Sequence, residues 1–579
     1  MIHTSRRLFL PIIGKTRPEL SAAITRQQLV LFRICAVLFI AAGIYYLIWR
    51  YNQSQHAAYL FYFYVVWYTE CLLFLGAVLR IVNYWSPADT PRQNPVHMVS
   101  EIRVLQEGEK DRPVSIDVFI ATINEEAFIL EETIAESKRM FYPHRDVRIS
   151  IYVLDDGQRD GRDADKENIK LLAQTCGVQY IGRENNQGFK AGNLNHAILK
   201  TDGDLFVILD ADTRPFSRFL YNTTGYFRNH KTAWVQTPQW FKDITEETDL
   251  KIHLTGIAGK MGARMAHFIA FFHKDVKAGK DIFCSNPNVF YDVVLRRRNA
   301  YNAVFSCGAG SLMRRESVMT HAQKNPGTDK GTPFRHHISE DIFNSLLMHA
   351  DKEHKWESIY HPGVECSMLS PQDLSSWIKQ QQRYAMGSID IGLSRYNPLW
   401  VKGLSLMQRT SYFTVFYSYI TPLLSVILFM TPIIYFFTQI TPFDVSINFI
   451  VYFLLIHLLN ITVFKIGNIA HSTRRFDQKF WASFSYMYAS WLTVIRTRKL
   501  PFNVTPKKRN RQQNHWKHTL PQAGIIILTA MGILYQILRL IAGYKVDVAS
   551  TALFLLLGMY HIYQLNTFVR AAFWKPDNE

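Results

Sequence analysis

Residues 204–212 read DLFVILDAD. The unbroken apolar run from Leu205 to Leu209 predicts a strand buried on both faces, and Asp210 and Asp212 give it an acidic end. Working outward, SIDVFIAT (115–122) reads as a first strand, RISIYVL (148–154) as a second, DLFVILD (204–210) as a third and AWVQTP (233–238) as a fourth. The first runs into INEEAFILEETIAES, a helix start with early glutamates. Strands alternating with helical patterns predict a mainly parallel sheet covered on both faces. Such sheets bind ligands beyond the carboxyl ends of their strands.

The acidic groups fall at those ends. Asp155 and Asp156 close the second strand in DDG; Asp210 and Asp212 close the third. An Asp-Gly pair by itself makes a turn. Two acidic ends in one sheet, one followed by TRP instead of a glycine turn, point to a metal-bound diphosphate. Mg2+ is usually held by one or two carboxylates plus substrate phosphates. On an extended strand end Asp210 and Asp212 point the same way, so one can hold the metal and the other a hydroxyl. Asp156 is placed to accept from a base or ribose. Lys190, in FKAGNLNHA (189–197), either pairs with phosphate or is a solvated lysine at a helix start. HHISEDIF (336–343) groups Ser339, Glu340 and Asp341. A buried carboxylate near others has a raised pKa, which suits a general base; the same pattern also caps a helix N-terminus.

At 579 residues the chain is too long for one domain, and 48% hydrophobic against 19% charged is apolar for a soluble protein. The cause is local. Blocks at 28–49, 58–83, 411–437, 446–467, 521–543 and 548–570 each approach or exceed the ~20 residues a bilayer span needs, and none lies between 84 and 400. The predicted order is a basic N-terminus (1–27), two spans (28–83), a polar linker (84–112), a soluble domain (113–370), interfacial helices (371–410), two spans (411–467), a basic segment (468–520), two spans (521–570) and a tail (571–579). No cleavable signal peptide is expected. Basic flanks place the N-terminus, the soluble domain and 468–520 on the cytoplasmic side. The net charge of +18 is concentrated beside the spans, which predicts membrane lipid and no nucleic acid as partner. The six cysteines form no CxxC pair, so neither disulfides nor zinc are expected. The stretch 473–499 reads as an interfacial amphipathic helix or as a seventh span. Glu70 inside a span must pair with a polar neighbour or face the protein. Trp240 reads either as a sugar-stacking ring or as core.

DDG, DAD, SED and QQQRY (380–384), in this order and at domain-scale spacing, resemble the D, DxD, TED, QxxRW series of processive family 2 glycosyltransferases. KAGNLN, VQTPQWF (235–241) and FSCGAG (305–310) resemble the cellulose synthase and curdlan synthase branch, and FNVTPK (502–507) resembles its FxVTxK gating loop. The resemblance covers roughly residues 113–570. It implies an α/β glycosyltransferase-A domain, with a Rossmann-like mixed, mainly parallel sheet, inserted between about six α-helical transmembrane spans with interfacial helices. It implies UDP-glucose as donor, Mg2+ or Mn2+, inversion at the anomeric carbon, and a β-glucan passed outward through the spans of a bacterial inner membrane.

Carried over residue by residue, Thr122, Glu125, Asp155, Asp156, Lys190, Asp210, Asp212, Gln380 and Arg383 bind the nucleotide sugar, with Asp210 and Asp212 on the metal. Asp341 is the general base. Tyr384, Trp240, Cys307 and Glu340 border the acceptor, and Phe502, Val504, Thr505 and Lys507 form the gating loop. The growing polysaccharide is an implied partner, as is a periplasmic or accessory subunit. Tyr384 replaces the usual tryptophan, Ser339 the usual threonine, and SCGAG the usual FCGS-like run. These departures border the acceptor and leave linkage open: β-1,4 (cellulose) leads, curdlan-type β-1,3 or mixed linkage is the alternative, and a non-processive enzyme acting on a lipid carrier is the further one. Bacterial cellulose synthases generally continue into a PilZ domain that binds cyclic di-GMP. This chain ends nine residues after the last span, so such control within it is not expected.

Overall fold

A computed structural model describes residues 22–573 apart from 124, 157–162, 243–247, 250–258, 266, 268–276, 279–288, 325–331, 372, 470–479, 498–499 and 501–514. Its main sheet has seven strands: β1 (Ser115–Thr122), β2 (Arg148–Asp155), β3 (Gln179–Gly182), β4 (Leu205–Asp210), β5 (Thr232–Gln236), β6 (Ser311–Arg314) and β7 (Glu357–Tyr360), in the order β7-β5-β6-β4-β1-β2-β3. Only β6 runs antiparallel to its neighbours. Alternation along β1 explains the two covered faces: Ile116, Val118 and Ile120 enter one apolar cluster with Leu130 and Ile134, whereas Phe119 enters another with Phe206 and Trp234. Register sets the level of the acidic ends. Thr122 pairs with Asp155, and Ala121 with Asp210.

β3, β6 and β7 are four residues each, too short for a periodic signal. The predicted fourth strand stops at Gln236, and Gln239–Phe241 forms a separate strand beside Cys366–Met368. The helix after β1 begins at Ala127 with no acidic residue in its first turn. Glu125 instead turns back, accepting from the Thr122 hydroxyl at 2.8 Å and from the Ile123 N–H.

The helices that position the site or meet the membrane are α1 (Arg26–Gln53), α2 (Leu60–Tyr84), α3 (Phe189–Lys200), α4 (Glu340–His349), α5 (Leu374–Leu393), α6 (Leu406–Tyr417), α7 (Thr421–Thr438), α8 (Ile447–Gly467), α9 (Phe484–Arg496), α10 (Leu520–Ile541) and α11 (Val548–Ala571). Six are long and apolar enough to cross a membrane: α1, α2, α7, α8, α10 and α11. The block at 411–437 does not form one helix. α6 ends at Tyr417, and α7 restarts at Thr421 with Pro422 in its first turn, where its missing N–H is harmless. α9 has 13 residues, rising about 20 Å, short of a ~30 Å hydrocarbon core.

Residues 84–112 are packed rather than free: Val96, Val99 and Ile102 are buried in the sheet's core. The soluble and membrane parts are joined by buried arginines. Arg297 donates to the Tyr84 carbonyl at 2.8 Å, at the end of α2, and to the Gly467 carbonyl at 3.2 Å, at the end of α8. Glu70 does have a polar partner. Its carboxylate receives both Arg50 Nε and Nη2, at 3.2 and 3.1 Å, and the guanidinium lies 4.2 Å from the Phe443 ring.

Truncating Arg297 leaves two carbonyls without their donor, a loss of about 2–3 kcal/mol. Arg297→Ala is expected to lower the thermal midpoint of the detergent-solubilised protein by several degrees. An unchanged midpoint would mean that the joint between the two parts lies elsewhere.

Candidate active site

The acidic strand ends meet at one place. Thr122, Glu125, Asp156, Lys190, Asp210 and Asp212 all line a single cavity, together with Cys307, Glu340, Asp341, Gln380, Arg383 and Tyr384. The cavity volume is about 1850 Å³, and it continues between the membrane helices. Asp155 does not line it. This side chain is fully buried beneath and accepts from the Tyr180 hydroxyl at 3.0 Å. Trp240 is not among the lining residues either, because Gln239 and Phe241 take the cavity-facing positions on either side of it. Its ring lies 6.4 Å from Phe216. Phe502, Val504, Thr505 and Lys507 lie outside the described residues.

Four loops bring the charges together. Gly188, at φ +75°, starts α3 and lets Lys190 reach Asp210 in an ion pair. Gly308, also at φ +75°, runs past that pair: a Cβ there would sit 3.3 Å from Lys190 Nζ and 3.7 Å from Asp341 Oδ2. The Cys307 N–H before it donates to Gln236 Oε1 at 2.7 Å, which explains the pairing of VQTPQ with SCGAG. Asn195 of α3 exchanges two hydrogen bonds with the Phe334 backbone, fixing the approach to HHISED. His337 then spans two elements, accepting from the Ser339 N–H at 3.0 Å and reaching Asp390 of α5 at 3.1 Å.

α5 docks through a glycine. A Cβ on Gly387 would lie 2.0 Å from Ser339 Oγ, so no larger residue allows the helix this close to the SED loop. One turn earlier sit Arg383 and Tyr384, with the guanidinium 5.5 Å from the tyrosine ring. Tyr384 keeps 41% of its surface exposed while lining the cavity. The glutamine run is therefore one turn of a helix, with Gln380 and Gln381 facing the cavity.

Electrostatics follow from burial. Asp156 is pushed up to about 6 by desolvation, against the pull of Arg183, whose Nε donates to it at 2.6 Å. Glu125 is pushed up to about 7 by burial, with Asp212 adding to the rise. Glu340 also rises to about 7 through burial and the neighbouring Asp341 charge, and burial raises Asp341 above the ordinary carboxylate range. Burial alone would pull Lys190 down, but Asp210, Glu340 and Asp341 together hold it above its usual value. Arg383 behaves likewise, with burial opposed by Tyr384, Glu340 and Asp210. Carboxylates near neutrality beside two retained cations make a site that can accept a proton at one point and bind polyanion at another.

Residues 113–387 match the family described as "Glycosyltransferase like family 2", and residues 323–489 match that described as "Cellulose synthase". The chain is thus similar to family 2 glycosyltransferases over residues 113–387 and to cellulose synthases over 323–489, and its described residues include six helices long and apolar enough to cross a membrane. Among its relatives, the "Cellulose synthase catalytic subunit [UDP-forming]" of Pseudomonas fluorescens is 26% identical over 542 residues, 91% of this chain and 64% of that protein. The subunit of the same description from Komagataeibacter sucrofermentans is 25% identical over 457 residues, 76% of this chain and 53% of that one. The chain thus matches between about half and two thirds of their length. A mannosyltransferase from Pyrobaculum calidifontis, solved with GDP-Man and Mn2+, is similar with a TM-score of 0.42 at 14% identity, covering 81% of this chain and all of that one.

Two positioning residues had no sequence signal. Arg183 follows β3, which the pattern hides, and Gly387 reads as an ordinary helical glycine. Gly387→Ala is expected to separate α5 from the SED loop and cut transferase turnover more than tenfold. The comparison is with Gly524→Ala, a helical glycine with open space around its Cβ position. Equal turnover in the two variants would show that the close approach is not required.

Proposed function

We propose that this chain is a processive, inverting β-glucan synthase that uses UDP-glucose and passes its polymer across the membrane, with cellulose (β-1,4) as the product. One observation carries the reading: the cavity holding the strand-end carboxylates is continuous with the space between the membrane helices. A transferase releasing a soluble product needs no such continuity.

In this reading Asp156 and Thr122 hold the uridine, and Lys190 and Arg383 meet the diphosphate. Arginine suits phosphate because its planar fork donates two parallel bonds. Asp341 takes the proton of the attacking acceptor hydroxyl. Its raised pKa makes it a better base than a solvated aspartate. Tyr384 offers a ring face to the acceptor sugar at the mouth of the membrane passage. Asp210 and Asp212 fit a divalent cation. They lie two residues apart at one strand end, both line the cavity, and phosphate oxygens would complete the set. Among the described residues no group of three potential ligands would hold an ion without those oxygens. Such a cation would offset charge on the leaving diphosphate. Membrane lipid surrounds the spans, the bacterial inner membrane is the location, and the catalytic domain faces the cytoplasm with the basic flanks.

The purified chain in nanodiscs, given radiolabelled UDP-glucose and Mg2+, is expected to form polymer that a β-1,4-glucanase digests. Polymer cut only by a β-1,3-glucanase would move the linkage to the curdlan type. A product of one added sugar would favour the lipid-carrier reading. Asp341→Asn is expected to lose at least 10³-fold in rate; intact synthesis would refute its role. The base must be ionised and its pKa is raised. Activity should therefore be lost as pH falls through a range above the usual ~4 of a carboxylate, and an acid limb at ~4 would contradict this.

A further inference from the structure

α8 and α11 meet at one end of the membrane bundle and part toward the other. At the end far from the catalytic domain, Phe449 of α8 and Phe554 of α11 belong to one cluster, with the Phe443 ring 4.5 Å from the first and 6.1 Å from the second. Nearer the catalytic domain the two helices join different clusters. Val463 and Phe464 of α8 pack with Tyr84 of α2, whereas Leu565 and Phe568 of α11 pack with Trp377 of α5 and Tyr486 of α9. The cavity reaches the membrane-facing surface between these diverging legs. Leu454 of α8 and Leu556 and Tyr560 of α11 all line it, yet they are 59%, 63% and 50% exposed.

That side of the cavity carries charge at one depth and hydrocarbon at another. Arg80 of α2 and Lys465 of α8 line it near the catalytic domain. A basic residue that only marks the end of a span extends its head into water. Arg80 instead lies one turn inside Tyr84, half-buried, with its guanidinium over the Phe464 ring at 3.8 Å. Neither Arg80 nor Lys465 makes an ion pair among the described residues. Asn460 also lines the cavity, five residues or about 7.5 Å deeper along α8 than Lys465. Leu454 lies deeper still. The order is cation, amide, then apolar side chain.

A phospholipid presents the complementary order: phosphate, then ester carbonyls, then acyl chain. Cations inside a membrane region are costly unless paired, and a phosphate pairs them. An anionic headgroup suits two cations better than a zwitterionic one, whose own ammonium competes for the phosphate. We infer that an anionic phospholipid of the bilayer binds in the cleft between α8 and α11. Its phosphate meets Arg80 and Lys465, its ester carbonyls meet Asn460, and an acyl chain runs along Leu454 and Leu556. The lipid then forms the wall of the passage on the side where the two helices diverge. This inference needs no particular donor or linkage.

The test reads lipid retention directly. Full chain in detergent is incubated with equal amounts of palmitoyl-oleoyl phosphatidylglycerol and phosphatidylcholine, and retained lipid is measured by native mass spectrometry. The wild-type chain is expected to keep one phosphatidylglycerol in preference to phosphatidylcholine. Arg80→Gln combined with Lys465→Gln is expected to retain about tenfold less phosphatidylglycerol. Lys465→Gln alone, a change at an exposed side chain, should give an intermediate loss, and Lys465→Arg should retain the lipid. Asn460→Leu should weaken both lipids alike and leave the preference intact. Arg570→Gln removes a basic residue in the last turn of α11 that does not line the cavity, and it should change nothing. Equal retention of the two lipids by wild type overturns the inference. So does an equal loss in the Arg570 variant, which would reduce the effect to general surface charge. Displacement of the lipid by UDP-glucose also overturns it, because the two cations would then belong to the donor site.

Discussion

Everything at this site depends on burying carboxylates together at one end of a sheet. Asp156, Asp212, Glu340 and Asp341 are drawn into a cavity wall where an isolated ionised group would be strongly disfavoured. Lys190 and Arg383 offset part of that charge, and each is held charged by the acids around it. Burial outweighs that offset, which is why Glu125 and Glu340 sit near 7, with the Asp212 and Asp341 charges adding to the rise. The glycines at 188, 308 and 387 serve this balance, because each allows a backbone or helix to approach that a side chain would block. A polyphosphate entering this cavity would bring negative charge to Lys190 and Arg383, and a cation between Asp210 and Asp212 would compensate for it.

Much of the arrangement was legible in the sequence because its physics is local. Buried strands read as continuous apolar runs, so β1, β2 and β4 were placed within a residue or two, and the acidic ends of β2 and β4 marked the candidate site. The membrane helices read equally well, since a 20-residue apolar run has few other uses. The break between Tyr417 and Thr421 was hidden because both sides are apolar. Short strands were missed for a different reason. β6 ends in Arg314, whose buried guanidinium is satisfied by carbonyls of residues far away in the chain, and no periodic rule can anticipate that.

The positions of the side chains divided along the same line. Asp156, Lys190, Asp210, Asp212, Asp341, Arg383 and Tyr384 converge on the cavity as the motif order implied. Asp155 and Trp240 do not line it, because neighbours in an extended segment point to opposite sides. Of the non-local supports, Arg183 and Gly387 gave no signal, and the motifs holding Asn195 and His337 did not indicate what those two side chains contact. Their meaning lies in partners brought near by the fold, such as Asp156, Phe334, Asp390 and Ser339. The reading of the chain as a synthase whose product moves into the membrane rests on the cavity that runs from the strand-end carboxylates into the space between the membrane helices.

The most direct measurement is a protection assay in sealed vesicles whose catalytic domain faces outward. UDP-glucose is added outside, and glucanase is added before or after detergent. The account predicts polymer that resists the enzyme until detergent opens the vesicles. Polymer digested at once, without detergent, would show that synthesis is not coupled to passage between the helices and would contradict it.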